Sequence, residues 1–376
     1  MNQNVRKCAI SIIVLSLICF GSIPVLAKSE IVPGGPWLSD NQPVNLNAFS
    51  SYDELVKALT QTEKASKGLV ELEVIGLTNQ GREIYLAKIG DPDKTPVMIQ
   101  TQQHGNEPIG TESALKVIKA LSTGNEAAMK ILDELYVLII VRANPDGAEL
   151  WQRYNYDPTA PDRDTSKYLY TSGGVGWDIN RYHFSDWKDS PLYAWYMVNP
   201  DDYPFPENPV TESVAVMNAF QKYQPIWIVD FHGQGTYVTD DGENVTSSML
   251  WPTNEAAADV VDLSKQLCVV MMDHMSQYGF ATVNLYPGGT EPGIARNAYG
   301  IEGAGSVLVE MKGGIGQKSN GMLVKHAVEQ MMAILEATAD GSLYMADPDR
   351  VEELDIGRTP YYKQIPANGN EDEPTE

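Results

Sequence analysis

Basic residues are scarce in this chain. It carries 27 lysines and arginines against 50 aspartates and glutamates, a formal charge of −23. That balance repels nucleic acid and anionic membrane, so neither is an expected partner. It suits a soluble protein working outside the cytoplasm. Cysteine is scarcer still: three in 376 residues, with Cys8 and Cys19 both inside the first 27. Beyond them only Cys268 remains, which excludes an internal disulfide. Within DLSKQLCVVMMDHM, a helical stretch, that thiol reads as buried and inert. Long apolar runs are absent after residue 27, so no later segment is expected to span a bilayer. There is no internal repeat and no linker that would divide the chain.

The first 27 residues are of another kind. Arg6 and Lys7 precede the apolar run CAISIIVLSLICFGSIPVLA, which ends in a small-residue pattern at Ala27. This is the layout of a secretory signal peptide, and secretion or a periplasmic location follows as the expectation. Its removal takes the charge from −23 to −25, because Arg6 and Lys7 leave and no acid does. Residues 28–47 form an irregular Gly/Pro/Asn-rich lead-in, 48–345 a single catalytic domain, and 346–376 an acidic polar tail whose last residues, PANGNEDEPTE, are expected to be disordered. With 43% hydrophobic residues the domain can bury a large core.

Periodicity supplies the elements. SSYDELVKALTQTEKA is an amphipathic helix capped by Ser50 or Ser51. LVELEVIGLTNQGREIYLAKIGD alternates around Asn79-Gln80-Gly81 as a β-hairpin. Then strands and helices alternate: TPVMIQTQ, PIGTESALKVIKALS, LYVLIIV, TESVAVMNAFQKYQ, PIWIVDF, a long helix over Asn254–Tyr278, FATVNLY, GSVLVEM, and a helix over Gly321–Ala339. Continuous apolar strands between helices predict an α/β fold, a mixed, mostly parallel twisted sheet covered on both faces. Residues 148–208 read as one long irregular excursion, a feature that is usually functional.

The polar residues able to do chemistry fall at the ends of these apolar strands, where open α/β sheets bind ligands. HGNE follows TPVMIQTQ, NPDG follows LYVLIIV, His232 closes PIWIVDF, and Glu310 ends GSVLVE. His104, Glu107 and His232 make the His/Glu/His set that a catalytic zinc takes while leaving a position for water. Glu310 is a carboxylate able to move that water's proton.

Taken together the motifs resemble the zinc carboxypeptidase family, the carboxypeptidase A-like metallopeptidases, and in particular a bacterial secreted member without a pro-domain. SYDELVKAL…GREIYLAKIGD, HGNE, NPDG, DINR, the strand-final His232 and VLVEMKGG occur in the family's order across roughly residues 48–337. The resemblance implies one Zn²⁺ held by His104, Glu107 and His232, with Glu310 as general base and acid. It implies Asn180 and Arg181 as the holders of a substrate's terminal carboxylate, which suits a guanidinium fork. Tyr286 matches the tyrosine that closes over substrate. Arg153 is the choice for the arginine that polarises the scissile carbonyl, with Arg163 a competitor and Arg142 a lesser one. The expected partners are peptides with a free C-terminus, and a monomer is expected. The short lead-in leaves no room for a folded pro-segment.

Two other functions use the same residues: a murein-peptide hydrolase or N-acyl amino acid deacylase, and a catalytically silent peptide-binding module. Asp146 and Gly147 shape a loop. His183 stands beside Arg181 with no assigned role, and His274 and His326 read as structural or exposed. Arg296, in GIARNAYG shortly before the final strand, either selects acidic side chains or faces Glu291 or Glu302.

Overall fold

The computed structural model describes residues 49–313 and 320–360. The expected signal peptide, the lead-in and the PANGNEDEPTE stretch lie outside the described residues.

Among the described residues twelve strands and nine α-helices run in order: α1 (Tyr52–Ala65), β1 (Val70–Leu77), β2 (Glu83–Ile89), β3 (Thr95–Thr101), α2 (Ile109–Leu121), α3 (Glu126–Leu132), β4 (Leu135–Ile140), α4 (Pro145–Leu150), β5 (Thr171–Ser172), β6 (Gly176–Trp177), α5 (Pro191–Val198), α6 (Thr211–Tyr223), β7 (Trp227–Gln234), β8 (Tyr237–Val238), β9 (Ser247–Leu250), α7 (Ala258–Met275), β10 (Val283–Leu285), α8 (Ala295–Ile301), β11 (Gly305–Lys312), α9 (Asn320–Ala339) and β12 (Thr359–Pro360). Eight strands form one sheet, ordered β1-β2-β4-β3-β7-β11-β9-β10. Its centre, β4-β3-β7-β11, is parallel throughout. The β1-β2 hairpin joins it antiparallel on one side, and β9 runs antiparallel to β11 on the other. The sheet is thus mixed and mostly parallel, as the alternation of apolar strands and helices predicts.

Pleating decides which side chain meets which helix layer. Along β3, Val97 and Ile99 enter the core shared with α1, α2, α7 and α9, while Met98 between them faces α6 and α8. Along β4 the same split sends Val137 and Ile139 one way, Leu138 and Ile140 the other. Both faces are therefore apolar, which is why these strands read as unbroken hydrophobic runs. Helix α1 begins where its sequence directs: Ser51 Oγ accepts from the Glu54 amide, and the Glu54 carboxylate accepts from the Ser51 amide at 2.8 Å. Such a capping box stabilises a helix by about 1 kcal/mol.

Three expectations need correction. The long helix starts at Ala258, four residues later than the pattern Asn254–Tyr278 suggests, because Asn254 turns away to donate to the Asn297 carbonyl. The excursion over 148–208 is not bare loop. It holds β5, β6, α5 and short 3₁₀ turns around a satellite core of Trp177, Ile179, Tyr182, Leu192 and Val210. Finally, residues 346–360 are no loose polar tail. Val351 is fully buried in the main core, a 3₁₀ helix spans Pro348–Glu353, and β12 pairs with β8. The acidic residues there occupy the outward positions of a segment anchored by Val351, with Ala346 and Leu354 packed beside it.

Candidate active site

Four strand ends meet on one edge of the sheet, since β3, β4, β7 and β11 are mutually parallel. Beyond β3 the backbone turns sharply: Gln102 adopts φ +54°, in the left-handed region, and its side-chain amide donates to the Gly105 carbonyl at 2.7 Å. That turn carries His104 and Glu107 back over the strand ends. Gly105 has a steric reason to be glycine. A Cβ there would overlap the backbone of Gly147, so the HGNE and NPDG turns pack backbone to backbone. Asn144 braces them by donating to the Gln103 and Tyr154 carbonyls and accepting from the Gly147 amide. Asp146 acts away from the cleft. It accepts from Thr78, from the Gln80 amide and from Arg82, tying the turn to the β1-β2 hairpin. The loop-shaping role read from NPDG holds.

His104, Glu107 and His232 converge so that one ligand atom from each lies within 4.8 Å of the others. His104 Nδ1 is 3.1 Å from His232 Nδ1 and 2.9 Å from the Glu107 carboxylate, and His232 Nδ1 is 3.2 Å from that carboxylate. The far nitrogen of each ring faces an acid. His104 Nε2 is 3.1 Å from Asp178, and His232 Nε2 is 2.6 Å from Asp230. An ionised carboxylate only accepts, so each Nε2 carries the proton and each Nδ1 presents its lone pair to the centre. Two imidazole lone pairs and a carboxylate aimed at one point repel one another unless a cation sits between them. The donor set therefore fits a divalent metal of the zinc type, with the carboxylate–histidine pairs that orient such ligands. Gly233 completes the fit: its missing side chain leaves room for Glu107, and its amide donates to that carboxylate at 2.8 Å.

The second pair of carboxylates is what sequence reasoning passed over. Asp178 begins the quoted DINR, and Asp230 stands two residues before His232 on a strand, hence on the same face. That i, i−2 spacing was a usable signal. Behind Asp230 runs a buried polar chain. Tyr299 donates to His183 Nδ1 at 2.9 Å, His183 Nε2 donates to Gln103 at 2.6 Å, and Gln103 donates to Asp230. Burial holds His183 down at about 4, so the ring stays neutral and can play both parts. His183 thus braces His232 through Gln103 and Asp230. His326 is buried against Ser247, and His274 pairs with Glu329 on the flank, both far from the cleft in role.

Glu310 lies directly across from His232 in the β7–β11 register, on the same face. It is 7% exposed, one carboxylate oxygen has no hydrogen-bond partner, and burial lifts the group to about 7. A carboxyl poised there can take a proton and return it near neutral pH. Arg153 is fixed beside these groups. Its Nη2 is 2.9 Å from Asp178, and its Nη1 is 3.1 Å from His104 Nδ1 and 3.7 Å from Glu107. Arg163 borders a neighbouring recess instead, and Arg142 is buried elsewhere, donating to Gln102 and the Ser50 carbonyl.

A cleft of about 290 Å³ opens over this set, bordered by His104, Glu310, Asn180, Arg181 and Tyr286. Asn180 and Arg181 sit on a 3₁₀ turn whose Asn180 Oδ1 accepts from the Ala295 amide at 2.8 Å, pinning it to the start of α8. The Arg181 guanidinium lies 5.3 Å over the Tyr170 ring. Two further arginines complete the wall: Arg296 from α8, and Arg358 from the C-terminal segment, which no sequence pattern connects with the site.

Comparison with known proteins bears on this geometry. The zinc carboxypeptidase family model matches residues 55–315, well over half of the chain. The chain belongs to the zinc carboxypeptidase family. It is 28% identical over 155 residues to a zinc carboxypeptidase of Saccharothrix mutabilis subsp. capreolus, covering 39% of this chain and 34% of that protein. It is 24% identical over 198 residues to the human carboxypeptidase N catalytic chain, covering 48% and 42%. The chain thus spans about a third to two-fifths of the length of these two curated relatives. Among solved structures it resembles carboxypeptidase A from Helicoverpa armigera (TM-score 0.56, 17% identity, 80% of this chain and 75% of that one). It also resembles a metallo-carboxypeptidase from Burkholderia cenocepacia (TM-score 0.54, 18% identity, 79% and 70%). These likenesses bear on the fold, and they agree with the sheet described above. Among the described residues no helix is long and apolar enough to cross a membrane.

Proposed function

We propose that the protein is a zinc metallocarboxypeptidase that removes single residues from the C-terminus of peptides, acting after export. One observation carries the reading: His104 of the His104/Glu107/His232 set, the Glu310 carboxyl with one partnerless oxygen, and the Arg181 guanidinium all border one cleft. Zinc held by His104, Glu107 and His232 supplies Lewis acidity toward the scissile carbonyl and makes water a competent nucleophile at neutral pH. The chain's own groups do the rest. Asn180 and Arg181 hold the substrate's terminal carboxylate, which fixes the cut one residue from the end and provides the orientation on which rate depends. Glu310 takes the proton of the attacking water and delivers it to the leaving amine. Arg153, braced by Asp178, directs N–H donors at the carbonyl oxygen as charge builds there. Tyr286 lies along the same cleft and covers the bound residue.

The test uses purified chain from residue 28 onward and linear peptides, half of them C-terminally amidated, with and without a zinc chelator, read by mass spectrometry. Loss of single residues from free C-termini only, stopped by chelator, is the expected result. Internal cleavage would remove Arg181 from its role. Protein holding one zinc yet cutting no linear peptide would shift the assignment to murein peptides or to a silent binding module.

A further inference from the structure

Arginine is unevenly placed in this acidic chain. Five of its nine arginines, Arg153, Arg163, Arg181, Arg296 and Arg358, border the cleft and the recess adjoining it. Among the described residues only Arg153 of these five makes an ion pair within 4.0 Å. In a protein with 50 acidic residues, unpaired guanidinium groups concentrated at one place are a feature of that place.

Arg296 is the most enclosed of them, 2% exposed. Its Nη2 donates to Thr253 Oγ1 at 3.1 Å and to the Gly289 carbonyl at 2.5 Å, both neutral acceptors, and its Nε has no partner. Neither Glu291 nor Glu302, the acids its sequence neighbourhood offers, forms an ion pair with it. Gly288 makes room for the guanidinium, since a Cβ there would overlap Arg296 Nη2 at close range. Arg358 is held differently. Its guanidinium lies 3.8 Å from the Tyr237 ring centroid and 4.7 Å from that of Tyr286, its Nη2 donates to Gln234 at 2.6 Å, and its Nε has no partner. Two rings and an amide fix a planar fork whose Nε–H is uncommitted.

A peptide brings one terminal carboxylate into this cleft, and Arg181 suffices for it. Arg296 and Arg358 then remain without an anion in a space closed by the substrate itself. A buried guanidinium with no counter-charge is strongly unfavourable, and an apolar side chain would complete that enclosure without relieving it. The geometry points to a second carboxylate on the substrate: the enzyme selects peptides whose C-terminal residue is glutamate or aspartate, with Arg296 and Arg358 reading the side chain. This rests on the carboxypeptidase reading and narrows its substrate class.

The experiment compares kcat/KM on one peptide series ending in Glu, Asp, Gln, Leu or Lys, for the wild type and for Arg296→Gln and Arg358→Gln. A site built around a charged group rejects analogues lacking it strongly, so Glu should exceed Gln by about 100-fold or more. Either substitution should cut that ratio by about 10-fold or more. Because the ratio is internal to each preparation, a partly folded variant does not distort it. Equal rates on Glu and Gln overturn the inference and leave the carboxypeptidase reading standing. A binding measurement without catalysis separates the two further, through the melting shift induced by glutarate against butyrate. A shift from glutarate that both variants lose supports the inference even if no peptide is cut. Equal shifts from glutarate and butyrate overturn it.

Discussion

The two walls of the cleft are built to opposite rules. On the strand side, every nitrogen of His104 and His232 has a partner, and a relay of four side chains from Tyr299 to Asp230 stands behind one of them. On the loop side, Arg181, Arg296 and Arg358 each keep a buried Nε with no partner at all. On the strand side Asp230 and His232 stand in the central parallel ladder, and His104 sits on the turn that follows β3. The loop side comes from a 3₁₀ turn, a two-turn helix and a segment past the last long helix. The difference separates geometry that must not vary from contacts left for whatever enters. A position held by four hydrogen bonds suits chemistry, and a position with unspent donors suits recognition.

The contrast can be broken at its strongest point first. Glu310→Gln keeps the shape and removes the proton carrier, so kcat should fall about 1,000-fold while metal content by elemental analysis stays the same. An equal loss of metal would mean that Glu310 belongs with the ligands instead. Glu212, on α6, probes the support behind the 148–208 excursion and belongs to neither wall. It is fully buried, burial raises it to about 7, one oxygen accepts from Asn155 of the 148–208 excursion, and the other has no partner. A carboxyl raised from 4.5 to about 7 on folding binds its proton more tightly in the native state. Stability is therefore full below about pH 4.5 and declines as pH rises toward 7, by about 3 kcal/mol in all. Urea unfolding at pH 5 and pH 8 should show that decline in the wild type and a flatter response in Glu212→Gln. A parallel pH response in the two proteins would rule the account out.

Asp230→Asn sharpens the comparison from behind the ligands. An amide can present its donor to His232 and so reverse the ring's proton, weakening zinc affinity by about 10- to 100-fold in a competition assay with a chromogenic chelator. Unchanged affinity would show that the relay is packing alone. The smallest effect is a control remote from both walls. Ser51→Ala removes the α1 cap and should cost about 1 kcal/mol in urea unfolding with peptide turnover per folded molecule unaltered.

What could be read in advance follows the same division. HGNE, His232 and Glu310 were legible because strand ends are visible as the last residue of an apolar run, and parallel strands gather their ends by topology. A cap at Ser50 or Ser51 was legible because its signal is local, and the structure places it at Ser51. β9 was not: its four residues, SSML, carry too few apolar positions to show a period, and only its neighbours β11 and β10 hold it in the sheet. Nor was α8, whose ARNAYGI contains a glycine near its end and buries six of its seven residues whatever their polarity. Arg296 could be placed near the site but not resolved between two roles until its partners were known. Arg358 lies 48 residues beyond Glu310 in an acidic stretch, and nothing in its surroundings marks it.

The return of residues 346–360 to the cleft gives chain length a meaning for this protein. Trimming just past α9 would spare His104, Glu107, His232 and Glu310, and would take Arg358 from the cleft wall and Val351 from the core. Such a form would separate the preference proposed for Arg358 from the reaction itself.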